Sequence, residues 1–375
     1  MKETILHISK YYYPDLGGIE TIAKSMAEGL RDFRNVVVCF STKGKDCVEN
    51  INGVEVYRVK VSFSMLHQDV SYGYLSMLKR LMREYTPHYV HVHCPNPFIY
   101  PLVLQTISAE TKLVLHWHAD ILSKGIAYRF VKPFESRILR RADFIIATSP
   151  NYIHPSSPIY QFKEKAGVVQ NGIITTDFDM KDGDEERVRA IREKYGQRPL
   201  ILFVGRHIAY KGIDLLIEAE RYIRSDCQIV IAGTGPLTES LKAQVSSPRI
   251  VFTGRLDTDE LRCYAWASTV FAFPSKTKAE AFGVALAEAM YCECVPVVFH
   301  LEGSGVNWLS VKNLTGKEVP LGHTKAFAGA IDEILADDAL CRRYAQASRQ
   351  RVVEMFTDEI ATQKANEIYR QLKFR

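Results

Sequence analysis

The chain has 375 residues, of which 47% are hydrophobic and 24% charged, enough apolar content for two packed cores at the usual domain size. Its 48 Lys and Arg against 43 Asp and Glu leave a net charge of +5, and residues 1–180 carry 21 basic against 17 acidic side chains; so slight a surplus excludes a nucleic-acid binder but suits contact with an anionic membrane surface. Eight scattered cysteines show no paired zinc spacing and read as reduced and mostly buried, while the lack of a signal segment or of about 20 consecutive apolar residues points to a cytoplasmic protein.

Taken in order, Thr4–Ser9 reads as a strand that runs through Tyr11-Tyr12-Tyr13-Pro14 into Gly17-Gly18-Ile19-Glu20, followed by a helix with Ile19, Ile22, Met26 and Leu30 on one stripe. The loop lacks the G-x-G-x-x-G fingerprint, which argues against NAD, and its two glycines fit either a tight turn or a close backbone approach to a ligand. Short apolar runs recur at Val36–Phe40, Val54–Val59, Tyr89–His93, Leu113–Trp117, Phe144–Thr148 and Gly167–Gln170, mostly separated by helical patterns. Such alternation predicts one doubly wound parallel sheet over residues 1–172. Gly73–Tyr85 and Lys124–Arg141 carry apolar stripes opposite basic residues; both read first as helices docked on their own core, with a membrane surface as the alternative.

His91-Val-His93 and His116-Trp-His118-Ala-Asp120 resemble metal-ligand spacing, because residues two apart on a strand share a face. A zinc hydrolase is therefore a competing reading, but it needs a third and a fourth ligand; no metal is expected, and His118, ending its strand, fits better as a pocket residue.

Asp177–Arg198 is charged and strandless, and residues 173–197 are expected to form a linker. A second series follows over 198–356, with strands at Pro199–Arg206, Gln228–Ala232, Ile250–Gly254, Val270–Pro274, Val295–Phe299 and Thr315–Val319. Two doubly wound units joined by a linker imply a cleft between them, a favoured ligand site. Arg206 ends its strand and Lys211 opens the next helix, a pair of cations suited to a diphosphate, although solvated basic residues at a strand end look the same. Thr269–Glu288 reads as strand, loop and helix, a turn that lies at the carboxyl end of a parallel sheet, where open α/β sheets bind ligands. The N–H groups of Phe282, Gly283 and Val284 open that helix, while Glu280 precedes them and Glu288 lies one turn beyond Val284. Two carboxylates beside free donors suit sugar and ribose hydroxyls, though glutamates are also common near helix starts.

Together, Pro14–Glu20, Arg141–Ser149, Val168–Gly172, Val204-Gly-Arg206 with Lys211-Gly212, Gly233-Thr-Gly235-Pro236 and Glu280-Ala-Phe-Gly-Val with Glu288 resemble the retaining nucleotide-sugar glycosyltransferases of family four, with the two-Rossmann (GT-B) architecture. The resemblance spans nearly the whole chain. It implies that Arg206 and Lys211 bind the diphosphate of a UDP- or GDP-sugar, that Glu288 binds the ribose, and that Glu280 with the N–H groups of Phe282 and Gly283 holds the transferred sugar. It further implies that His118 approaches that sugar from the first unit, that the Gly17-Gly18 loop closes over phosphates and acceptor, and that Gly205, Gly235 and Val284 line the donor site. The segment 357–375 is expected to cross back onto the first unit. The implied activity is hexosyl transfer to a saccharide or lipid-linked saccharide of a bacterial surface polysaccharide, without metal or other cofactor and with peripheral contact at the inner membrane face. An epimerase or hydrolase of the same fold and a non-catalytic partner subunit are the alternatives. Cys292-Glu-Cys294 and Glu302-Gly-Ser-Gly-Val-Asn-Trp308 depart from the family pattern, so the donor sugar is not read from them.

Overall fold

Strands rich in Val, Ile and Leu, buried on both faces, are what a parallel sheet covered by helices requires. A computed structural model describes residues 2–15, 17–65, 68–121 and 128–374, and its chain divides into unit one, residues 1–172 with 358–375, and unit two, residues 173–357.

Unit one contains β1 (Thr4–Ile8), β2 (Arg34–Ser41), β3 (Cys47–Ile51), β4 (Val54–Lys60), β5 (Phe63–Met65), β6 (Gln68–Val70), β7 (Tyr89–Cys94), β8 (Lys112–Trp117), β9 (Phe144–Ala147) and β10 (Ala166–Val168). Eight of them form a sheet in the order β10-β9-β8-β7-β1-β2-β4-β3, while β5 and β6 pair separately. All neighbours in the large sheet are parallel except β3 and β4. The sequence reading missed β3, whose alternating exposure marks a one-sided edge strand. Its hairpin turn is Asn52-Gly53, both at positive φ, the two-residue turn that Asn-Gly favours.

The stripe on helix Gly18–Gly29 buries Ile22, Ala23, Met26 and Ala27. Helix Tyr74–Tyr85 turns Tyr74, Leu78, Leu81 and Tyr85 into its own unit, leaving Lys79, Arg80 and Arg83 exposed. The second basic helix is Tyr128–Arg141, burying Ile138 and Leu139; its expected start at Lys124 lies outside the described residues. Helix Asp358–Lys373 buries Ala361, Ala365, Ile368, Tyr369 and Leu372. Its Lys364 donates to Gln170 Oε1 at 2.9 Å, and its Thr362 lies so close to Gly29 that a Cβ there would stand 2.6 Å from Oγ1.

Unit two contains β11 (Leu200–Val204), β12 (Gln228–Ala232), β13 (Ile250–Gly254), β14 (Val270–Phe273), β15 (Val295–Phe299) and β16 (Lys317–Val319), all parallel, in the order β13-β12-β11-β14-β15-β16. From β11 the chain winds outward through β12 and β13, then returns to the other side of β11 as β14. The gap between β11 and β14 is thus the topological switch point, where loops splay apart at the carboxyl ends and ligands enter. In unit one the same reversal falls between β1 and β7.

The charged segment expected as a linker belongs to unit two. Helix Asp184–Lys194 packs on helix Thr258–Ala267, joined by a buried ion pair from Arg262 to Asp184 at 2.6 Å. That guanidinium holds the Asp184 carboxyl well below the usual carboxylate range. Few apolar residues are needed because Arg192 adds to the ion pair, donating to Ala267 O at 3.3 Å and to Trp266 O at 2.9 Å. No described helix is long and apolar enough to cross a membrane.

Candidate active site

At the switch point of unit two, the loops after β11, β12 and β14 interlock through their backbones. Gly205 N–H donates to Ala232 O at 3.1 Å and His207 N–H to Thr234 O at 3.0 Å. A Cβ on Gly235 would stand 2.5 Å from His207 O, so the packing of these two loops requires glycine there with or without a ligand. At Gly205 an added Cβ would meet the Phe203 ring at 3.2 Å and Lys211 Cε at 3.6 Å. The third loop joins when Lys276 N–H donates to Tyr210 O at 2.7 Å.

This frame brings Lys211 and Glu280 together. The Lys211 ammonium is ion-paired with the Glu280 carboxylate, both side chains being mostly buried, and lies over the Phe273 ring, 5.3 Å from its centroid. Burial acts most strongly, to lower the Lys211 pKa, but the Glu280 charge, Tyr210 and the hydrogen bond to Glu280 together outweigh it and hold the ammonium above its ordinary value. Ser275 Oγ donates to the same carboxylate at 3.3 Å, and the Ser304 hydroxyl donates to the Glu280 carbonyl. Gly305 N–H donates to Ala281 O at 2.8 Å, so the loop after β15 braces the Glu280 turn. Ser275 and Ser304 were missed by the sequence reading; the Ser-Gly step inside the departing segment 302–308 is the signal that was present.

Arg206 is exposed and forms no ion pair among the described residues. Burial raises the Tyr210 hydroxyl pKa, while Lys211 and Arg206 both act to lower it, which places the two cations around one side chain. Helix Val284–Tyr291 starts after Gly283, whose φ of 96° lies in the left-handed region. The N–H groups of Phe282, Gly283 and Val284 meet no acceptor among the described residues. They form a cradle for an anion or a hydroxyl.

Glu288, on the same helix, is partly buried, and its carboxylate makes no hydrogen bond among the described residues. Burial, and next the charge of Asp177, push its pKa up to about 7 from 4.5. Asp177 sits on the turn Thr175–Asp177, within the segment first read as linker. Between pH 4.5 and 7 the folded chain holds a proton that the unfolded chain has lost, so Glu288 lowers stability as pH rises through that window. Glu288→Gln should therefore raise stability by about 1–2 kcal/mol at pH 8 and change nothing below pH 4.5. Melting curves across pH check it, and a loss of stability at pH 8 would contradict the assignment.

In unit one, Arg58 on β4 is fully buried and grips the segment leading into the glycine loop: it donates to Tyr12 O at 3.2 Å, to the Tyr13 carbonyl, to Asp15 Oδ2 at 3.2 Å and to Glu49 Oε2 at 2.8 Å. An arginine inside an apolar strand was the sequence signal for such pairing. Neither glycine of the loop has a left-handed φ. A Cβ on Gly17 would meet the Glu20 carboxylate at 2.3 Å, whereas one on Gly18 would meet nothing within 4 Å. His118 is buried just past β8, and its Nε2 faces His93 Nδ1 at 3.0 Å. Burial lowers its pKa to about 3, so the ring is neutral.

Models of known families match both halves of the chain: glycosyl transferases group 1 over residues 184–351 and glycosyltransferase family 4 over residues 16–177. O-antigen chain mannosyltransferase C of Escherichia coli is 29% identical over 361 residues, covering 94% of each chain. Alpha-maltose-1-phosphate synthase of Mycolicibacterium smegmatis is 30% identical over 275 residues, 68% of this chain and 70% of that one. Among solved structures, Anabaena Alr3699/HepE in complex with UDP-glucose superposes with a TM-score of 0.77 at 18% identity, covering 98% of this chain and 99% of that chain.

Proposed function

The chain belongs to the group 1 and family 4 glycosyltransferases, and from that premise we propose that it moves a hexose from a UDP- or GDP-sugar to a hydroxyl of a saccharide or lipid-linked saccharide. The product is part of a bacterial surface polysaccharide, the configuration at the anomeric carbon is retained, and no metal takes part. The name of the O-antigen chain mannosyltransferase supports the product class, and the UDP-glucose bound by Alr3699/HepE supports the donor class. A lipid-linked acceptor puts the reaction at the inner membrane face, where exposed Lys79, Arg80 and Arg83 attract anionic lipid.

The chemistry follows from where charge develops. As the anomeric carbon parts from the diphosphate oxygen, negative charge gathers on the leaving group, and Arg206 and Lys211 offset it by about 3–4 kcal/mol each. An ammonium has three donors, so Lys211 keeps Glu280 while donating to a phosphate oxygen. Glu280 and the N–H groups of Phe282 and Gly283 hold sugar hydroxyls, Glu288 accepts from the ribose, and neutral His118 contacts the sugar. The acceptor oxygen bonds to the anomeric carbon on the face the diphosphate leaves, and its proton passes to the departing phosphate oxygen, so no protein base is needed.

The observation that carries this reading is the Lys211–Glu280 pair at the switch point, beside three N–H groups without an acceptor among the described residues. Melting in the presence of UDP, GDP and ADP tests it. A nucleotide at 100 times its Kd adds about 2.7 kcal/mol, a rise of about 5–10 °C for a unit of this size. The proposal fails if none of the three shifts the melting temperature.

A further inference from the structure

The segment 302–308 departs from the family pattern, and the transfer chemistry makes no use of it. It follows β15, the strand beside β14, and reaches the Glu280 turn with two successive residues. Ser304 is fully buried and its hydroxyl is committed twice: the oxygen accepts from Val306 N–H at 3.2 Å, and the proton goes to the Glu280 carbonyl. Gly305 N–H takes the next carbonyl, Ala281 O, at 2.8 Å. A trans peptide is planar, with its C=O and N–H pointing opposite ways. Turning the Ala281 carbonyl toward Gly305 therefore turns the Phe282 N–H away from the segment, where it meets no acceptor among the described residues. The segment itself is tied at both ends. Asn307 accepts from Leu301 N–H at 2.7 Å and donates to Phe299 O at 3.1 Å and to Glu318 Oε2 at 2.7 Å, while Arg351 donates to Trp308 O at 2.6 Å and to Leu309 O at 3.0 Å. The rings of Trp308 and Phe282 both pack on Phe356, at centroid distances of 4.9 and 5.5 Å.

We propose that Ser304 is a positioning residue for the transferred hexose. Ser304 and Gly305 fix the peptides between Glu280 and Phe282, and these two residues supply the carboxylate and the N–H that hold sugar hydroxyls in the transferase reading. The inference rests on that reading and names what discriminates the hexose within it. Arg206 and Lys211 come from another loop, after β11, and hold the diphosphate. The two parts of the donor therefore depend on different contacts, and those contacts differ in their tolerance of a small rotation. A hydrogen bond to a sugar hydroxyl weakens steeply once its angle is lost, whereas the attraction between a cation and a diphosphate falls only with distance. Losing the Ser304 hydroxyl lets the Glu280–Ala281 peptide turn, so the sugar contacts suffer and the diphosphate contacts do not.

The full-length chain is titrated by calorimetry with UDP, UDP-glucose, GDP and GDP-mannose, unaltered and as Ser304→Ala, Gly305→Pro and Ser348→Ala. Ser304→Ala should leave the Kd of the diphosphate within about 2-fold and weaken the matching nucleotide sugar about 5-fold or more, the share of one aligned hydrogen bond. Gly305→Pro, at a φ of −72° that proline accepts, removes the N–H that holds Ala281 O and should give the same split. Should Ser304→Ala fail to fold, Gly305→Pro decides. Ser348→Ala is the matched comparison, because its buried hydroxyl donates to Thr315 O at 2.8 Å elsewhere in unit two. It should lower the melting temperature and leave every Kd unchanged. Equal weakening of diphosphate and nucleotide sugar, no weakening of either, or binding of UDP or GDP without the matching nucleotide sugar would each overturn the positioning role and leave the diphosphate clamp standing. Failure of the unaltered chain to bind any of these ligands would overturn the transferase reading, and this inference with it.

Discussion

Lys211→Ala is expected to lower turnover by about 10²-fold or more at saturating donor, because it removes a fixed positive charge from the place where the leaving diphosphate gains negative charge. The same change leaves the Glu280 carboxylate mostly buried with, among the described residues, only the Ser275 hydroxyl bonded to it, and an unpaired buried charge costs about 2–4 kcal/mol. Two effects therefore arise from one substitution, and a second variant separates them. Lys211→Ala with Glu280→Gln removes the orphaned charge, so melting should recover while turnover stays low. Lys211→Arg keeps the charge but replaces a compact ammonium by a planar fork, and should fall between. Steady-state kinetics with a UDP- or GDP-sugar, beside melting curves, give both readouts. Near-normal turnover in Lys211→Ala would show that the pair serves only to hold the Glu280 loop.

Much of this arrangement was legible in the sequence, for identifiable reasons. Parallel strands buried on both faces leave apolar runs such as Leu200–Val204 and Gln228–Ala232, which can be found without knowing their neighbours. Strand order is what such runs do not carry. That β1 lies beside β7 decides that His7 joins His91, and nothing in either segment states it. The segment holding Asp184 misled for another reason: its charges look solvated until Arg262, 78 residues away, supplies the partner. At the switch point of unit two the turn, the cations and the carboxylates were visible, whereas Ser304 reached the Glu280 carbonyl only through the loop after β15.

The alternation of glycine and cation at Lys211-Gly212 holds the other large effect. Gly212 has φ 68° and ψ 24° and precedes helix Ile213–Glu220, and a Cβ on it would stand 1.9 Å from Pro274 O and 3.3 Å from Lys276 Cγ. The carbonyl cannot yield alone, since Pro274 follows β14 directly and the Lys276 N–H is held by Tyr210 O. Gly212→Ala must therefore spread the loops after β11 and β14, moving Lys211 on one side and the Glu280 turn on the other. Left-handed strain of about 1–2 kcal/mol adds to an overpacking cost of about 1–3 kcal/mol, a fall in melting temperature of about 5–15 °C. A displacement near 1 Å at the clamp carries about 10² in rate. Gly322→Ala is the matched comparison, because Gly322 has φ 77° with nothing within 4 Å of an added Cβ. That variant feels the strain alone, so it should lose about 1–2 kcal/mol and keep its turnover. If the two alanine variants melt and turn over alike, the close approach of the two loops does not position Lys211.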